Sequence, residues 1–155
     1  MPSHAELLTR FYEAFQRRDG EAMATCYHPE AMFSDPVFPR LPHDEVGAMW
    51  RMLAGRAQDL AIRFEVLRAD DEGGEVRWEA DYTFSKTGRK VHNVIRAQFG
   101  FKDGLILAHR DGFDLPVWMR QALGWKGLLF GRMAWFQNAL RAEARKGLLR
   151  FMEKG

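Results

Sequence analysis

The chain has 155 residues, 46% hydrophobic and 13% aromatic, with 28% charged and a formal net charge of +2. That length suits one domain with a sizeable core, and the composition is too apolar and too weakly charged for a disordered chain. The single cysteine, Cys26, excludes an internal disulfide and a Cys-rich zinc cluster. No stretch approaches the roughly 18 consecutive apolar residues of a spanning helix. The N-terminal segment carries acids early and has no unbroken apolar run, so no secretory signal and a cytoplasmic location are expected.

Ser3-His4-Ala5-Glu6 has the form of a capping box, and Leu8, Phe11, Tyr12 and Phe15 recur at helical spacing, which predicts an amphipathic helix over 3–18. Asp19-Gly20 breaks it, and 21–27 reads as a second short helix. A brief extended piece over 31–34 closes at Asp35-Pro36, and the proline-rich 37–42 is expected to be loop. Val46, Met49, Trp50 and Leu53 return the helical period over 44–54.

From residue 60 the period becomes two. Leu60, Ile62, Phe64 and Val66 alternate with polar residues, as do Val76, Trp78, Ala80, Tyr82 and Phe84. Strict alternation predicts half-buried antiparallel strands near 60–70, 75–86, 89–101 and 105–114. Thr87-Gly88 and Lys102-Asp103-Gly104 supply the hairpin turns between them. The strands follow helices rather than alternating with them, so the fold class is α+β: a four-strand meander covered on one face by helices. Beyond it, 117–123 reads as a short helix introduced by Pro116, and 124–127 as an interruption. A long helix should follow, with Trp135, Phe136, Ala139, Leu140, Ala144, Leu148, Phe151 and Met152 on its apolar stripe.

The net charge is a sum of unlike parts. Residues 115–155 carry eight Lys/Arg against Glu143 and Glu153, which is +6, and the remainder of the chain is −4. The chain therefore divides into a domain over 1–115 and a basic helical extension over 116–155. The extension is expected to pack on its own domain or on a partner. In that position Trp118, Trp125, Trp135 and Phe136 would lid the domain.

No Walker loop, GxGxxG, GxSxG or HExxH is present, and no His/Cys spacing suits a metal, so neither metal nor cofactor is expected. Two polar features stand out in apolar surroundings. Asp35 lies between Phe33, Val37 and Phe38, where apolar walls disfavour its charged form and make it a better proton acceptor. An Asp-Pro pair also makes turns by bonding nearby backbone, and both readings stand. In the last strand, period two puts His109, Asp111 and Phe113 on one face and Arg110 and Asp114 on the other. A buried His–Asp pair holds an imidazole tautomer for proton transfer. The alternatives are a solvent-facing edge or a structural ion pair of Asp111 with Arg96. Glu79 and Asp81, with Asn93 and Arg96 across the hairpin, read as a solvated face.

The order of helix, short helix, Tyr-x-Pro-x-Ala-x-Phe-x-Asp-Pro, helix and a meander ending in His109-Arg110-Asp111-Gly112-Phe113-Asp114 resembles the NTF2-like superfamily over roughly residues 3–115. That superfamily includes SnoaL-like proteins, ketosteroid isomerases and limonene epoxide hydrolases. The resemblance implies a curved sheet wrapped around a helix, a cone whose apolar cavity takes a small ligand. It places Asp35 where the isomerases have their general base, with Phe11 and Ala97 where they have a tyrosine and a carboxylic acid as donors. It places Asp111 on the working acid of the epoxide hydrolases, with Glu79-x-Asp81 where those enzymes have Arg-x-Asp.

Together these readings give a SnoaL-like small-molecule-binding protein. Its expected activity is that of a cofactor-independent isomerase, cyclase or hydrolase in which Asp35, His109 and Asp111 perform acid/base work. Phe11, Phe15, Phe38, Trp50, Trp78 and Phe113 are the expected substrate-binding residues. The expected partners are a small apolar molecule and a second copy in a homodimer, with no nucleic acid. The alternative is a non-catalytic binding or dimerising module whose basic C-terminal helix touches a partner or a membrane surface.

Overall fold

A computed structural model describes residues 3–56 and 58–154. Helix α1 (His4–Gln16) starts where the capping pattern places it, with Ser3 Oγ accepting the Glu6 N–H at 3.1 Å. Its face Leu7, Leu8, Phe11, Tyr12 and Phe15 is buried. Helix α2 (Gly20–Ala24) is capped by Asp19, whose carboxylate accepts the Ala22 N–H. It ends well before Tyr27, contrary to the expectation for 21–27. The Thr25 hydroxyl turns back onto the Ala22 carbonyl at 2.7 Å, and Tyr27 already begins a strand.

That strand, β1 (Tyr27–Ser34), is longer than the sequence suggests. Pro29 donates no ladder hydrogen bond and sits within a register shift between Tyr27 and Met32, which is where a strand accepts a proline. A two-residue β2 (Leu41–Pro42) pairs with β1, and α3 (His43–Arg56) follows it. Four long strands come next: β3 (Ala61–Ala69), β4 (Gly74–Phe84), β5 (Arg89–Lys102) and β6 (Leu105–Gly112). Asp103 and Gly104 both take positive φ, as the tight β5–β6 hairpin requires.

The sheet has six strands, not four, in the order β2-β1-β6-β5-β4-β3. It is mixed rather than antiparallel throughout, because β1 pairs with β6 in parallel, setting Phe33 beside His109 and Ser34 beside Arg110. Its concave face holds Val76, Trp78, Ala80, Ile95, Ala97 and Phe99 against α1 and α3. Its other face is polar, with Glu79 bound by Arg63 and Arg77, Asp81 by His92, and Arg96 by Glu75.

The C-terminal extension packs on the same domain. Asp114 caps α4 (Leu115–Leu123), and the Trp118 indole N–H donates to the Tyr82 hydroxyl at 2.7 Å. The expected interruption at 124–127 is confined to Gly124, and Trp125 opens another helix, α5 (Trp125–Phe130). Helix α6 (Ala134–Lys154) lies along α3. Arg145 forms a two-pronged ion pair with Glu45 of α3, and Arg141 Nε donates to the Pro36 carbonyl at 2.8 Å. The buried stripe of α6 is narrower than expected. Phe136, Leu140, Ala144, Leu148, Phe151 and Met152 reach the core, while Ala139 and Trp135 face solvent. Leu148 is fully buried. Leu148→Ala should cost about 2–5 kcal/mol in urea denaturation. A loss under roughly 0.5 kcal/mol, the size of a neutral surface change, would show that α6 does not seal the domain.

Candidate functional site at the mouth of the cone

A line of hydrogen bonds crosses the interior of the cone. The Trp50 indole N–H donates to the Tyr27 hydroxyl at 2.9 Å, and Tyr27 Oη lies 2.7 Å from His109 Nδ1. On the other side of the ring, His109 Nε2 lies 2.9 Å from Asp111 Oδ1, which the Trp78 indole N–H also approaches at 3.4 Å. The Tyr27 oxygen accepts from Trp50, and its one proton goes to His109 Nδ1, so His109 Nε2 carries the ring proton and donates it to the Asp111 carboxylate. Every donor has one acceptor along this line. The His109 ring is caged by Phe99 at 4.2 Å, Phe33 at 4.9 Å and Phe11 at 5.8 Å between centroids.

His109 and Asp111 therefore share the buried face that period two assigns them, at 2% and 5% exposure. Asp111 bonds His109 and Trp78, and Arg96 is engaged by Glu75 on the other side of the sheet. Glu79 and Asp81, which the resemblance set beside Asp111, also lie on that other side and take no part in this cluster. Ala97 lies directly opposite Asp111 on β5. An acid reaches the level of Ala97 from the neighbouring strand instead.

Asp35 stands one residue beyond β1. The parallel pairing of β1 with β6 sets Phe33 beside His109 and Ser34 beside Arg110, and Asp35 follows at the strand end, near enough to Asp111 for that charge to act on it. Its Oδ1 accepts the N–H groups of Val37 at 2.7 Å and Phe38 at 2.6 Å, so the carboxyl forms the Asp-Pro turn and is partly buried there. Burial, aided by the charge of Asp111, pushes the Asp35 carboxyl up to about 7, against the opposing pull of the two N–H bonds. The strand-end loop bearing Asp35 is held from above by Arg141 of α6 through the Pro36 carbonyl.

The aromatic residues expected to bind substrate fall into two groups. Phe11, Phe15, Trp50 and Trp78 pack on one another in the interior, with Phe15 5.1 Å from Trp50 and 5.5 Å from Trp78. Phe38 is buried in the main core, and Phe113 lies with Val37 where that core meets the α4 cluster of Val91, Trp118 and Met119. Of the residues expected to lid the domain, Trp118 and Phe136 pack down, whereas Trp125 and Trp135 stay exposed. Two shallow depressions, about 390 and 320 Å³, lie on the outer surfaces of α1 and of α2–α3, away from these carboxylates.

Tyr27 and Tyr12 belong to this site and carry no sequence signal that sets them apart. Tyr27 reads as the end of a helix, and Tyr12 as one more member of an apolar stripe. The Tyr12 hydroxyl is a buried side-chain polar atom with no hydrogen-bond partner among the described residues. Burial, and secondarily the charge of Asp111, drives its phenol well above the ordinary tyrosine value. Leaving such a group unpaired costs about 1–3 kcal/mol. Tyr12→Phe should thus be neutral or stabilising by about 1 kcal/mol in chemical denaturation; a loss above 1 kcal/mol would mean the hydroxyl has a partner.

A cone of curved mixed sheet packed around helices defines an NTF2-like protein. The SnoaL-like domain family matches residues 8–109, and the chain belongs to it. Among solved structures, an NTF2-like protein of unknown function from Burkholderia pseudomallei K96243 is 21% identical, with 78% of this chain and 98% of that one covered and a TM-score of 0.67. An LEH-like epoxide hydrolase of M. tuberculosis is 19% identical over 80% of this chain and 90% of that one, with a TM-score of 0.59. IdmH from Streptomyces antibioticus, a proposed polyketide cyclase, is 19% identical over 76% and 96%, with a TM-score of 0.61. At these identities the likeness is one of fold. A search of curated proteins returns no match.

Proposed function

We propose that the protein is a cofactor-independent acid/base enzyme in which Asp35 abstracts a proton from a small apolar substrate held at the rim of the cone. The observation that carries this reading is the presence of two carboxyl groups in unlike surroundings, Asp111 on β6 and Asp35 just beyond the end of the paired strand β1, with the charge of Asp111 acting on Asp35. Asp111 is bonded to His109 and Trp78, whereas Asp35 sits against Val37 and Phe38 and is raised to about 7. Two carboxyl groups so separated divide acid and base roles. A base tuned to about 7 removes a proton at physiological pH more effectively than an ordinary aspartate. Phe38 and Phe113 are the apolar walls for substrate, and the unpaired Tyr12 hydroxyl is a donor for an oxygen that becomes negatively charged. Enolisation of a carbonyl compound, as an isomerase or cyclase performs, fits this set. The similarity in fold to IdmH and to an epoxide hydrolase is compatible with it.

The test is exchange of α-protons for deuterium in a panel of cyclic ketones, followed by NMR across pH 5–9. Exchange that rises with a midpoint near 7 in the wild type, and is lost in Asp35→Asn, supports the role. Ketones that bind but exchange no faster than in buffer would leave a binding module instead.

A further inference from the structure

We infer that α5 and the start of α6 form a docking surface for an anionic lipid membrane, lying on it rather than crossing it. Trp125, Leu128 and Leu129 stand at i, i+3 and i+4, and so share one face of α5. They are 64%, 66% and 60% exposed. The opposite side of α5 is fixed: a Cβ at Gly127 would come within 2.0 Å of the Met119 carbonyl oxygen, so this glycine lets α5 lie directly on the backbone of α4. The apolar face is thereby held outward. It continues through Phe130, 5.5 Å from Trp135, to the exposed Met133 and Trp135. Single exposed apolar residues are ordinary, but a contiguous patch of tryptophan, leucine and methionine on one face marks an interaction site.

Charge selects the occupant. From residue 115 to 142 the chain contains no Asp or Glu, while Arg120, Lys126 and Arg132 are exposed and flank the patch. Among the described residues none of these three forms an ion pair, in contrast to Arg145, which is held by Glu45. Lys126 Nζ lies 5.8 Å from the Trp125 ring centroid, so the cation and the ring face the same surface. A two-fold contact with a second copy would set these positive groups against their own equivalents with no counter-charge from the segment. An anionic bilayer offers both complements: headgroup charge for the bases, and an interfacial zone that suits tryptophan. No helix of the described residues is long and apolar enough to cross a membrane, which limits the contact to the interface.

The experiment is flotation of the full chain with vesicles of phosphatidylcholine alone or mixed with phosphatidylglycerol, with tryptophan emission as a second readout. Binding to the mixed vesicles, weakened by salt and accompanied by blue-shifted emission, is expected. Lys126→Gln with Arg132→Gln should weaken partition about thirty-fold, at roughly fivefold for each basic residue. Leu128→Ser with Leu129→Ser should weaken it roughly tenfold or more. Both pairs are exposed, so circular dichroism and the melting temperature should match the wild type. Failure to float with mixed vesicles, equal binding to phosphatidylcholine alone, or wild-type partition by both variants would overturn the inference. So would a dimer in light scattering that either variant turns into a monomer, since a second copy would then cover the patch.

Discussion

Asp35→Asn should leave a protein that is more stable than the wild type at pH 8 and no more stable at pH 4, while losing about 10²–10⁴-fold in turnover. An unfolded aspartate titrates near 3.9, and the folded Asp35 carboxyl is raised to about 7. Between those values the native state holds a proton that the unfolded state has released. Stability therefore falls as pH rises from about 4 to about 7, and stays reduced above that. The difference of about three pH units corresponds to at most about 4 kcal/mol. An asparagine carries no charge, and its side-chain oxygen still accepts the Val37 and Phe38 N–H groups, so the turn is kept. The expected gain is about 2–4 kcal/mol in urea denaturation at pH 8, with none at pH 4. A gain at both values would point to backbone effects, and a loss at pH 8 would show that Asp35 serves the turn as an anion.

Tyr27→Phe is expected to act in the opposite sense and at every pH. The hydroxyl accepts from Trp50 and donates to His109, and both partners are buried at 2% exposure. Removing it strands an indole N–H and an imidazole nitrogen in an apolar interior, at about 1–3 kcal/mol each. A loss of about 2–5 kcal/mol is expected by equilibrium unfolding, a large share of the stability of a domain this size. His109, no longer bonded on both sides, would also lose the restraint that fixes its tautomer. The contrast with Tyr12→Phe is diagnostic, because the two phenols are both buried and only one is bonded. If both changes cost the same, the line from Trp50 to Asp111 does not exist as drawn.

What could be read from the sequence was whatever is local. The Ser3 cap, the alternation of β3 to β6 and the inward face of His109 and Asp111 all follow from spacing along a few residues. So does the dual character of Asp35, whose neighbours alone announce a turn walled by apolar side chains. The parallel pairing of β1 with β6 was not legible, because it joins residues more than seventy positions apart and Pro29 disguises the strand. With that pairing hidden, the approach of Asp35 to Asp111 was hidden too. Tyr27 failed for the same reason, since its value lies in partners 23 and 82 residues away. Helix α5 failed differently: two glycines in four residues read as a break, yet Gly127 is there to let helix meet helix. The family resemblance supplied the cone and the roles expected of both aspartates. It also pointed to Glu79 and Asp81, which the sheet places on its other face.

Asp111 raises the Asp35 carboxyl beside it, and Asp35 is the group that exchanges its proton near neutrality. The most direct test follows the side-chain carboxyl carbon of Asp35 by NMR as pH is varied, in the wild type and in Asp111→Asn. A midpoint of about 7 is expected in the wild type and a lower one in the variant, because the charge of Asp111 contributes to the rise. A midpoint near 4 in the wild type, or one unmoved by the loss of Asp111, would contradict it.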